Sequence, residues 1–418
     1  MENKLLFLGV DTTTKYALAY AKERGVTTII TDYYPIDSSL ERRMADEQWA
    51  VDVVDLDTLE ENCRRAHVTG VYAGNHELCL DMAKALCKRL GLPFYASDEG
   101  WACARDKLRF KRHCIACGLS VPKQYDLTLP FQQDILDKIS YPVIVKPADA
   151  CAQRGLSLCH NEEELRAAYP LALRFSDSGT VLVEEWIQGE EISIDYLFID
   201  GKPHIVGLNR GIFMEVNQRH NFSLFLEPSI HYAAYAKQTE GKVEQLFERM
   251  HWTTGIAFLQ AICREGEYYF LEMGGRMDGV GSWTKEKDII GKSRLEYMVD
   301  LALGQPIQPV CDPNIYHYEQ DSTVYLVWAK AGNINRVAGE AELASMPGVH
   351  IVLKRFAQGE TIQATDNMLQ IAYYLTIVAD CRAQLIQKIQ TINQTLHLYD
   401  EQGRELLLPF TAYDALME

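Results

Sequence analysis

Residues 141–155 read YPVIVKPADACAQRG, and residues 181–195 read VLVEEWIQGEEISID. Each stretch begins with a short apolar, β-branched run, which is typical of a buried strand. The first strand ends at Lys146, and a loop of small residues then closes on Arg154 and Gly155. Small loops after strands can aim backbone N–H groups at phosphate, and the two cations add charge-assisted hydrogen bonds. This part of the chain therefore indicates phosphate binding.

A third stretch, residues 268–279, reads YYFLEMGGRMDG. It predicts a strand that delivers Glu272, then a Gly-Gly turn, and then Arg276. A carboxylate can hold Mg²⁺ against phosphate, and a nearby arginine can neutralise charge that develops on a transferred phosphoryl group. The three stretches together indicate phosphoryl-transfer chemistry.

In this order and at these spacings, the segments resemble the ATP-grasp fold, as in D-alanine–D-alanine ligase, biotin carboxylase and the bacterial L-amino acid ligases. The resemblance, which extends to the large subunit of carbamoyl phosphate synthase, covers nearly the whole chain. It implies an α/β protein in three parts. These are an N-terminal domain with an open parallel sheet (1–100), an ATP-grasp domain (101–305) with a mobile α+β lid (about 122–200), and a C-terminal α+β domain packed on the core (306–418).

The N-terminal part supports this assignment from its own pattern. Strands and helices alternate along residues 1–100, with strands at 4–10, 26–31 and 68–73 and a helix at 78–90, which predicts an open parallel sheet. The residues Asp11 to Thr14 favour a helix cap over a ligand contact. By resemblance alone, Asp11 and residues 75–77 are candidates for the edge of the substrate cleft.

The resemblance also implies which residues bind phosphate. Residues 101–120 predict one basic amphipathic helix, whose cations other than Lys107 are interpreted as a solvated face. Lys107 and Lys146 match the two phosphate-binding lysines of the family, and Lys146 is also expected to act in catalysis. A lysine at the end of a buried strand is costly without an anionic partner. Arg154 and Gly155 would lie in the lid loop that closes over the phosphates.

The adenine base of the nucleotide would lie against residues 183–187, which resemble the adenine hinge of the family. There, backbone groups of Glu185 and Ile187 would bond the adenine edge, and Glu184 would lie near the adenine amine. Glu191 falls where the family holds the ribose hydroxyls. Without the resemblance, acidic pairs after a strand would be read as a solvated loop.

The metal-binding positions depart from the family pattern. Active relatives present an acidic residue on one strand and Glu-x-Asn on the next, whereas this chain has Gln260 and then Glu272, with Gly274 in place of the asparagine. Loss of a carboxylate should weaken Mg²⁺ binding, although a glutamine carbonyl can still coordinate. Arg276 is expected to steady the acylphosphate. Asp278 is a candidate substrate residue, with an ordinary cap role as the alternative.

The stretch 210–231 shows no clear periodicity. Family members place a mobile, substrate-covering loop here, so the resemblance predicts a loop. Arg210, Arg219 and His220 are candidates for binding a carboxylate or phosphate of the substrate.

Composition sets the remaining bounds. The net charge of −17 argues against a nucleic-acid partner, and no apolar run approaches the length that spans a bilayer. The N-terminus lacks the features of a signal peptide, and the eleven cysteines are scattered, so a reduced cytoplasm is expected. The CxxC at Cys114 and Cys117 favours helix packing over a metal or redox site.

These observations predict an ATP-dependent, ADP-forming ligase that joins a small carboxylic acid, in the first place an amino acid, to an amine through an acylphosphate. ATP and Mg²⁺ are the expected cofactors, with Mn²⁺ as a substitute, and a homodimer is favoured. Two alternatives stay open: a bicarbonate-using enzyme of the carboxylase type, and a non-catalytic protein that binds nucleotide or a metabolite.

Overall fold

The computed structural model describes residues 3–35, 39–149, 154–216, 219–308, 320–365 and 367–417. Its N-terminal part is a four-stranded sheet in the order β3-β2-β1-β4 with every pairing parallel, which confirms the predicted open parallel sheet. Gly25 and Gly91 follow helices with φ near +70°, a conformation that glycine adopts without strain. The elements are β1 (Lys4–Leu8), α1 (Thr14–Glu23), β2 (Thr27–Thr31), α2 (Leu40–Met44), β3 (Glu47–Trp49), α3 (Leu56–Ala66), β4 (Gly70–Tyr72) and α4 (Glu77–Leu90).

Two helices, α5 (Asp98–Arg105) and α6 (Lys107–Ala116), follow where the sequence predicted one. The single-helix prediction was wrong because Asp106 is extended, with φ −130° and ψ 106°. Its carboxylate accepts hydrogen bonds from the amides of Leu108 and Arg109, and so caps α6. Lys107 is therefore the first residue of a capped helix.

The lid is a separate antiparallel sheet in the order β5-β8-β6-β7. One face packs on α8, where Leu165, Ala168 and Ala172 are buried. The strand that follows the lid, residues 190–199, pairs in the large sheet and not in this one. The lid elements are β5 (Gln124–Tyr125), α7 (Gln133–Leu136), β6 (Val143–Pro147), β7 (Ser157–Cys159), α8 (Glu162–Arg174) and β8 (Val181–Glu185).

A nine-stranded antiparallel sheet forms the centre of the molecule. Along its main path the order is β13-β12-β9-β10-β11-β14-β19-β17, and β21 pairs with β14. Asp200 and Gly201 form a hairpin turn between β9 and β10 with φ of 50° and 82°, as an Asp-Gly pair favours. The elements up to residue 302 are β9 (Glu190–Ile199), β10 (Lys202–Val216), β11 (Arg219–Glu227), α9 (Tyr232–Thr239), α10 (Lys242–Arg249), β12 (Gly255–Arg264), β13 (Glu267–Gly274), α11 (Trp283–Ile290) and α12 (Arg294–Ala302).

The loop predicted for residues 210–231 is instead largely the β10–β11 hairpin, so that prediction was wrong. Ile212, Met214 and Val216 alternate towards the core. On the partner strand the register shifts, because Ile212 pairs with Leu224 and Phe213 pairs with Phe222, which leaves Ser223 as an extra residue. This bulge breaks the period of two that would have identified the strand.

The C-terminal strands extend the same sheet across the boundary expected at residue 305. One face of α14 packs on the core, because Leu385, Ile389 and Ile392 recur at helical spacing and are all buried. The elements are β14 (Asp321–Ala329), β15 (Gly332–Asn333), β16 (Arg336–Ala338), α13 (Glu340–Ala344), β17 (Val349–Lys354), β18 (Thr361–Ile362), β19 (Ile371–Ala379), α14 (Arg382–Thr395), β20 (His397–Tyr399) and β21 (Leu407–Leu408). Among the described residues, no helix combines the length and apolar character needed to cross a membrane.

Candidate active site

A buried ion triad joins the lid to helix α6. The carboxylate of Glu184, on β8, lies 2.9 Å from the Nζ atom of Lys146, on β6, and also bonds the Nζ atom of Lys111. Glu184 is 1% exposed and Lys111 is 3% exposed. The structure therefore brings the predicted residues Lys146 and Glu184 together, and adds a lysine that the sequence interpretation assigned to a solvated face.

The triad has more positive than negative charge. Burial alone would raise the pKa of Glu184, but Lys146 and Lys111 outweigh it and lower that pKa to about 2. Burial, and then repulsion from Lys146, lowers the pKa of Lys111 to about 8. Two cations on one carboxylate leave an excess charge that an anionic ligand would balance.

Lys107 and Glu272 form a second ion pair beside the triad, with 2.9 Å between Nζ and Oε2. Glu272, on β13, faces Gln260 on β12 in the strand register, and Gln260 in turn faces Ser193 on β9. Because residues opposite each other in a sheet point to the same face, the two predicted metal ligands lie side by side. The amide of Lys107 also donates to the carbonyl of Ala148, at 3.4 Å, which ties the start of α6 to the lid loop.

Glu191 lies in the same charged region. Its pKa is raised to about 7, first by burial and then by the negative charge of Glu272. Two carboxylates that repel each other, next to the amide oxygen of Gln260, form a set of hard oxygen donors that suits Mg²⁺. The residues present therefore fit a magnesium ion, which would neutralise charge on a phosphate held by Lys107.

The asparagine that relatives carry after the glutamate cannot be accommodated here. A β-carbon on Gly274 would lie 2.2 Å from a ring atom of Phe258, on the neighbouring strand. Real β-carbons do not approach a ring that closely, so Phe258 and the glycine exclude a third ligand at this position. The glycine therefore removes a metal ligand that relatives carry, and it also leaves room for the ring of Phe258.

The adenine-hinge residues lie between the lid sheet and the large sheet. The amide of Glu185 donates to the carbonyl of Lys123 at 2.8 Å, so this N–H is committed within the lid. The Glu185 carboxylate bonds Arg264 at 3.1 Å, which connects the hinge to β12. Ile187 is 3% exposed and gives the hinge an apolar wall. The predicted adenine contacts stay predictions, with the Glu185 amide no longer a candidate donor.

Arg276 lies where the N-terminal domain meets the large sheet. Its guanidinium carbon is 5.4 Å from the ring centroid of Phe258, and its Nε atom is 3.5 Å from Glu77. Burial alone would raise the pKa of Glu77, but Arg105 and Arg276 outweigh it and lower that pKa. Tyr95 further fixes this segment by donating to the carbonyl of Gly275. These contacts hold the guanidinium group of Arg276 between Glu77 and the ring of Phe258.

The expected cleft edge is also at this junction. The carboxylate of Asp11 accepts the amides of Thr13 and Asn75 at 2.8 and 2.7 Å, so it organises two loops and is committed to them. The side-chain amide of Asn75 reaches the carbonyl of Asp278 at 3.2 Å. The N-terminal domain thus contacts the segment that carries Arg276.

Asp278 has a cap role in the structure. Its Oδ1 atom accepts the amides of Val280, Gly281 and Ser282 at 2.7–3.1 Å, and its other oxygen accepts the hydroxyl of Ser282. These contacts shape the turn into α11. The geometry therefore supports the cap alternative over a substrate contact.

Below this turn lies a buried arginine that the sequence interpretation missed. Arg294 bonds Asp195 at 2.8 Å, Glu286 at 2.5 Å and the hydroxyl of Ser282 at 3.0 Å. Burial raises the pKa of Asp195 to about 6 and that of Glu286 to about 7. The network anchors the turn after Arg276 to strand β9. Nothing in the local sequence distinguishes Arg294 from an ordinary helical arginine.

Arg210 is buried and bonded within the protein. It pairs with Ile192 in the strand register, and therefore lies on the sheet face opposite to Glu191. It is 3% exposed, and its guanidinium bonds Glu190 at 3.0 Å and the carbonyl of Ala415 at 2.8 Å. These contacts favour a structural role, in which Arg210 ties the C-terminal end to the sheet, and its substrate contact stays a prediction.

The remaining predicted site residues are described only in part. Arg219 and His220 belong to β11, but their side chains lie outside the described residues. Residues 150–153 of the lid loop are also outside them. At the end of that loop, Gly155 has φ +71°, and a β-carbon there would lie 3.0 Å from Phe175. Arg154, beside it, is exposed.

Comparison with known proteins agrees with this architecture. Residues 121–223 match the model of the D-ala D-ala ligase C-terminus. An L-amino acid ligase from Bacillus licheniformis superposes with a TM-score of 0.78, at 16% identity, over 96% of this chain and 99% of that one. A biotin carboxylase domain from Hydrogenobacter thermophilus, crystallised with MgADP, ADP and bicarbonate, gives 0.78 at 18% identity over 100% and 93%. The chain has the ATP-grasp fold.

The curated relatives match this chain either over a short segment or at low sequence identity. A D-alanine–D-alanine ligase from Halorhodospira halophila is 38% identical over 124 residues, which is 29% of this chain and 40% of that protein. Dapdiamide A synthase from Enterobacter agglomerans is 21% identical over 390 residues, covering 90% of each chain. The match to the D-alanine–D-alanine ligases thus spans less than half of their length.

Proposed function

We propose that this protein is an ATP-dependent, ADP-forming ligase that joins a small carboxylic acid to an amine. The acid is an amino acid in the first place. The enzyme uses Mg²⁺, with Mn²⁺ as a substitute, and works in the cytoplasm. A homodimer remains a prediction. The names of the similar proteins support amide-bond formation, because the L-amino acid ligase and the D-alanine–D-alanine ligase both belong to that class.

One observation carries the proposal: three lysines converge on two carboxylates between the lid and the large sheet. Lys107 pairs with Glu272, while Lys111 and Lys146 share Glu184. A folded chain has little reason to bury this many ammonium groups, because each loses its hydration. A bound triphosphate with its metal ion would supply the missing negative charge.

The proposed reaction has two steps, in which these cations would hold the phosphates. The substrate carboxylate attacks the γ-phosphorus of ATP, giving an acylphosphate and ADP, and the amine then displaces phosphate from the acyl carbon. The lysines would hold the phosphates, and Arg276 would stabilise negative charge on the acylphosphate and the tetrahedral intermediate. Glu272, Glu191 and Gln260 would hold Mg²⁺, which would offset phosphate charge. Closure of the lid would exclude water, which otherwise hydrolyses the acylphosphate.

The test measures phosphate release from MgATP with a panel of amino acids and small carboxylic acids, offered singly and in pairs. We expect release that depends on an acid and an amine together, with the condensed product found by mass spectrometry. Lys146→Ala and Glu272→Gln should lower the rate by at least about a hundredfold, as loss of transition-state charge stabilisation does. Lys138→Ala is the matched control, because this lid lysine is exposed and its ammonium group pairs with the exposed Asp134.

Other outcomes would select the alternatives. Phosphate release that requires bicarbonate, with no amide product, would replace the ligase by a carboxylase-type enzyme. ATP binding by calorimetry without turnover, in Mg²⁺ and in Mn²⁺, would favour a non-catalytic nucleotide-binding protein. Equal activity of the wild type and Lys146→Ala would refute the assignment of this lysine cluster.

A further inference from the structure

Three metal-ligating side chains meet at the junction of helices α5 and α6, outside the catalytic cluster. Glu99 and Cys103 are four residues apart on α5 and so share one face, and His113 projects from α6. The Oε1 atom of Glu99 lies 3.0 Å from Nε2 of His113 and 3.8 Å from the Sγ atom of Cys103. One donor atom from each residue falls within 4.8 Å of the others.

This donor set has the chemistry of a zinc ligand sphere. Zn²⁺ binds cysteine sulfur at about 2.3 Å, and histidine nitrogen and carboxylate oxygen at about 2.0–2.2 Å, in tetrahedral geometry. Tetrahedral bonds of those lengths separate the ligand atoms by roughly 3.3–3.7 Å. The observed separations bracket that range, so small side-chain movements would complete three of four positions. Water would take the fourth.

We propose that Glu99, Cys103 and His113 bind one thiophilic divalent cation, Zn²⁺ in the first place, at a site distinct from the magnesium site. The sequence offered a different candidate, the CxxC of α6, but Cys114 and Cys117 do not join this cluster. Cys114 is fully buried, and its thiol is committed to helix packing. The new site needs no contribution from the proposed ligase activity.

The exposure of the three ligands and the competing contact of Arg109 with Glu99 determine how strongly the site can bind a metal ion. The side chain of Glu99 is 34% exposed and that of His113 is 17% exposed, whereas Cys103 is buried, so the ion would enter past the carboxylate. Arg109 lies 3.6 Å from Glu99 and would have to turn away. The Nδ1 atom of His113 is buried without a hydrogen-bond partner among the described residues. Because no acceptor among these residues fixes the orientation of the imidazole, we expect an exchangeable ion rather than a permanently bound one.

Binding must also displace the thiol proton. Burial, and then the charge of Glu99, raise the pKa of Cys103 to about 12, so the sulfur is a thiol at neutral pH. A metal ion binds the thiolate, and therefore releases this proton to solvent. The same ion would link α5 to α6 across Asp106, the residue before Lys107, and so would hold the start of α6 in place.

The experiment is a Co²⁺ titration of the metal-free full-length protein in saturating Mg²⁺, followed by absorption spectroscopy. We expect one equivalent of Co²⁺ to bind, with thiolate-to-cobalt charge-transfer absorption and the intense visible bands of four-coordinate cobalt. Zn²⁺ should displace it and bleach both signals. These readouts do not depend on ATP turnover, so their failure is distinguishable from failure of the proposed function.

Variants locate the site. Cys103→Ser should abolish the charge-transfer absorption, and Glu99→Gln and His113→Gln should each weaken binding by at least about tenfold. Glu99 is partly exposed, so its variant tests the site even if the buried Cys103 variant misfolds. Cys381→Ser is the control, because Cys381 is an exposed cysteine on a different part of the fold. No charge-transfer absorption at saturating Co²⁺, or absorption that survives Cys103→Ser and is lost with Cys381→Ser, would overturn the proposal.

Discussion

Replacing Glu184 with glutamine would remove the carboxylate that the buried ammonium groups of Lys111 and Lys146 both contact. At the 2.9 Å separation of Lys146 and Glu184, the Coulomb attraction is about 6 kcal/mol for an effective dielectric constant of about 20. Removing one partner of a buried pair typically costs about 3–5 kcal/mol. A lysine can escape by losing its proton, at about 4.6 kcal/mol for an ordinary pKa of about 10.4 at pH 7. The typical cost of breaking a buried pair and the cost of deprotonating a lysine therefore agree on a loss of about 3–5 kcal/mol.

We therefore expect Glu184→Gln to lower the free energy of unfolding by about 3–5 kcal/mol at pH 7, measured by urea unfolding with tryptophan fluorescence. Glu185→Gln is the matched control. It removes the adjacent carboxylate, whose partner Arg264 is about one-third exposed, so the loss should stay below about 1 kcal/mol. A loss under about 1 kcal/mol for Glu184→Gln would refute the inference that this carboxylate balances two buried cations.

Three further predictions concern neighbouring parts of the site. The pKa of Glu191 rises from 4.5 to about 7 on folding, so the native state holds more protons in that window. The contribution of Glu191 to stability should then fall as the pH rises from about 4.5 to 7. Glu191→Gln should reduce the slope of urea midpoints measured across this range, and the slope that is left comes from Asp195 and Glu286, whose pKa values are also raised. Gly274→Asn should cost about 1–3 kcal/mol by overlap with Phe258, and in thermal unfolding the Gly274→Asn, Phe258→Ala double variant should lose less stability than the sum of the two single losses. Asp106→Ala removes the cap of α6 and should lower the free energy of unfolding by about 1 kcal/mol, whereas an unchanged urea midpoint would argue against the cap.

The strands that carry the site could be predicted because each has its own local signal. Val143 and Val145 alternate with a β-branched neighbour before Lys146, and the Asp200-Gly201 pair marks its hairpin directly. The strand preceding Glu272 was identified in the same way. Local patterns of this kind do not depend on what the strand packs against.

The partners of these residues could not be predicted in the same way. Lys111 and Glu184 are 73 residues apart, and only the docking of α6 on the lid brings them together. The spacing of four residues between Lys107 and Lys111 on one helix face was the available signal, but it is equally typical of a solvated face. The clash between Phe258 and an asparagine at position 274 depends on strand register, which the sequence does not specify for a bulged pair.

We expect a metal-bound triphosphate to exchange with contacts that the site already makes. Lys107 rests on Glu272, which is also the principal candidate ligand for Mg²⁺. A phosphate oxygen would replace the carboxylate on the lysine, and the metal ion would replace the lysine on the carboxylate, so neither charged group would be left without a partner. The Lys146–Glu184 pair differs, because it shares its carboxylate with Lys111 and already has an excess of positive charge. Phosphate there would add to the existing contacts rather than exchange with them. We therefore expect the triad to attract the nucleotide, and the Lys107–Glu272 pair to open when nucleotide and Mg²⁺ bind together.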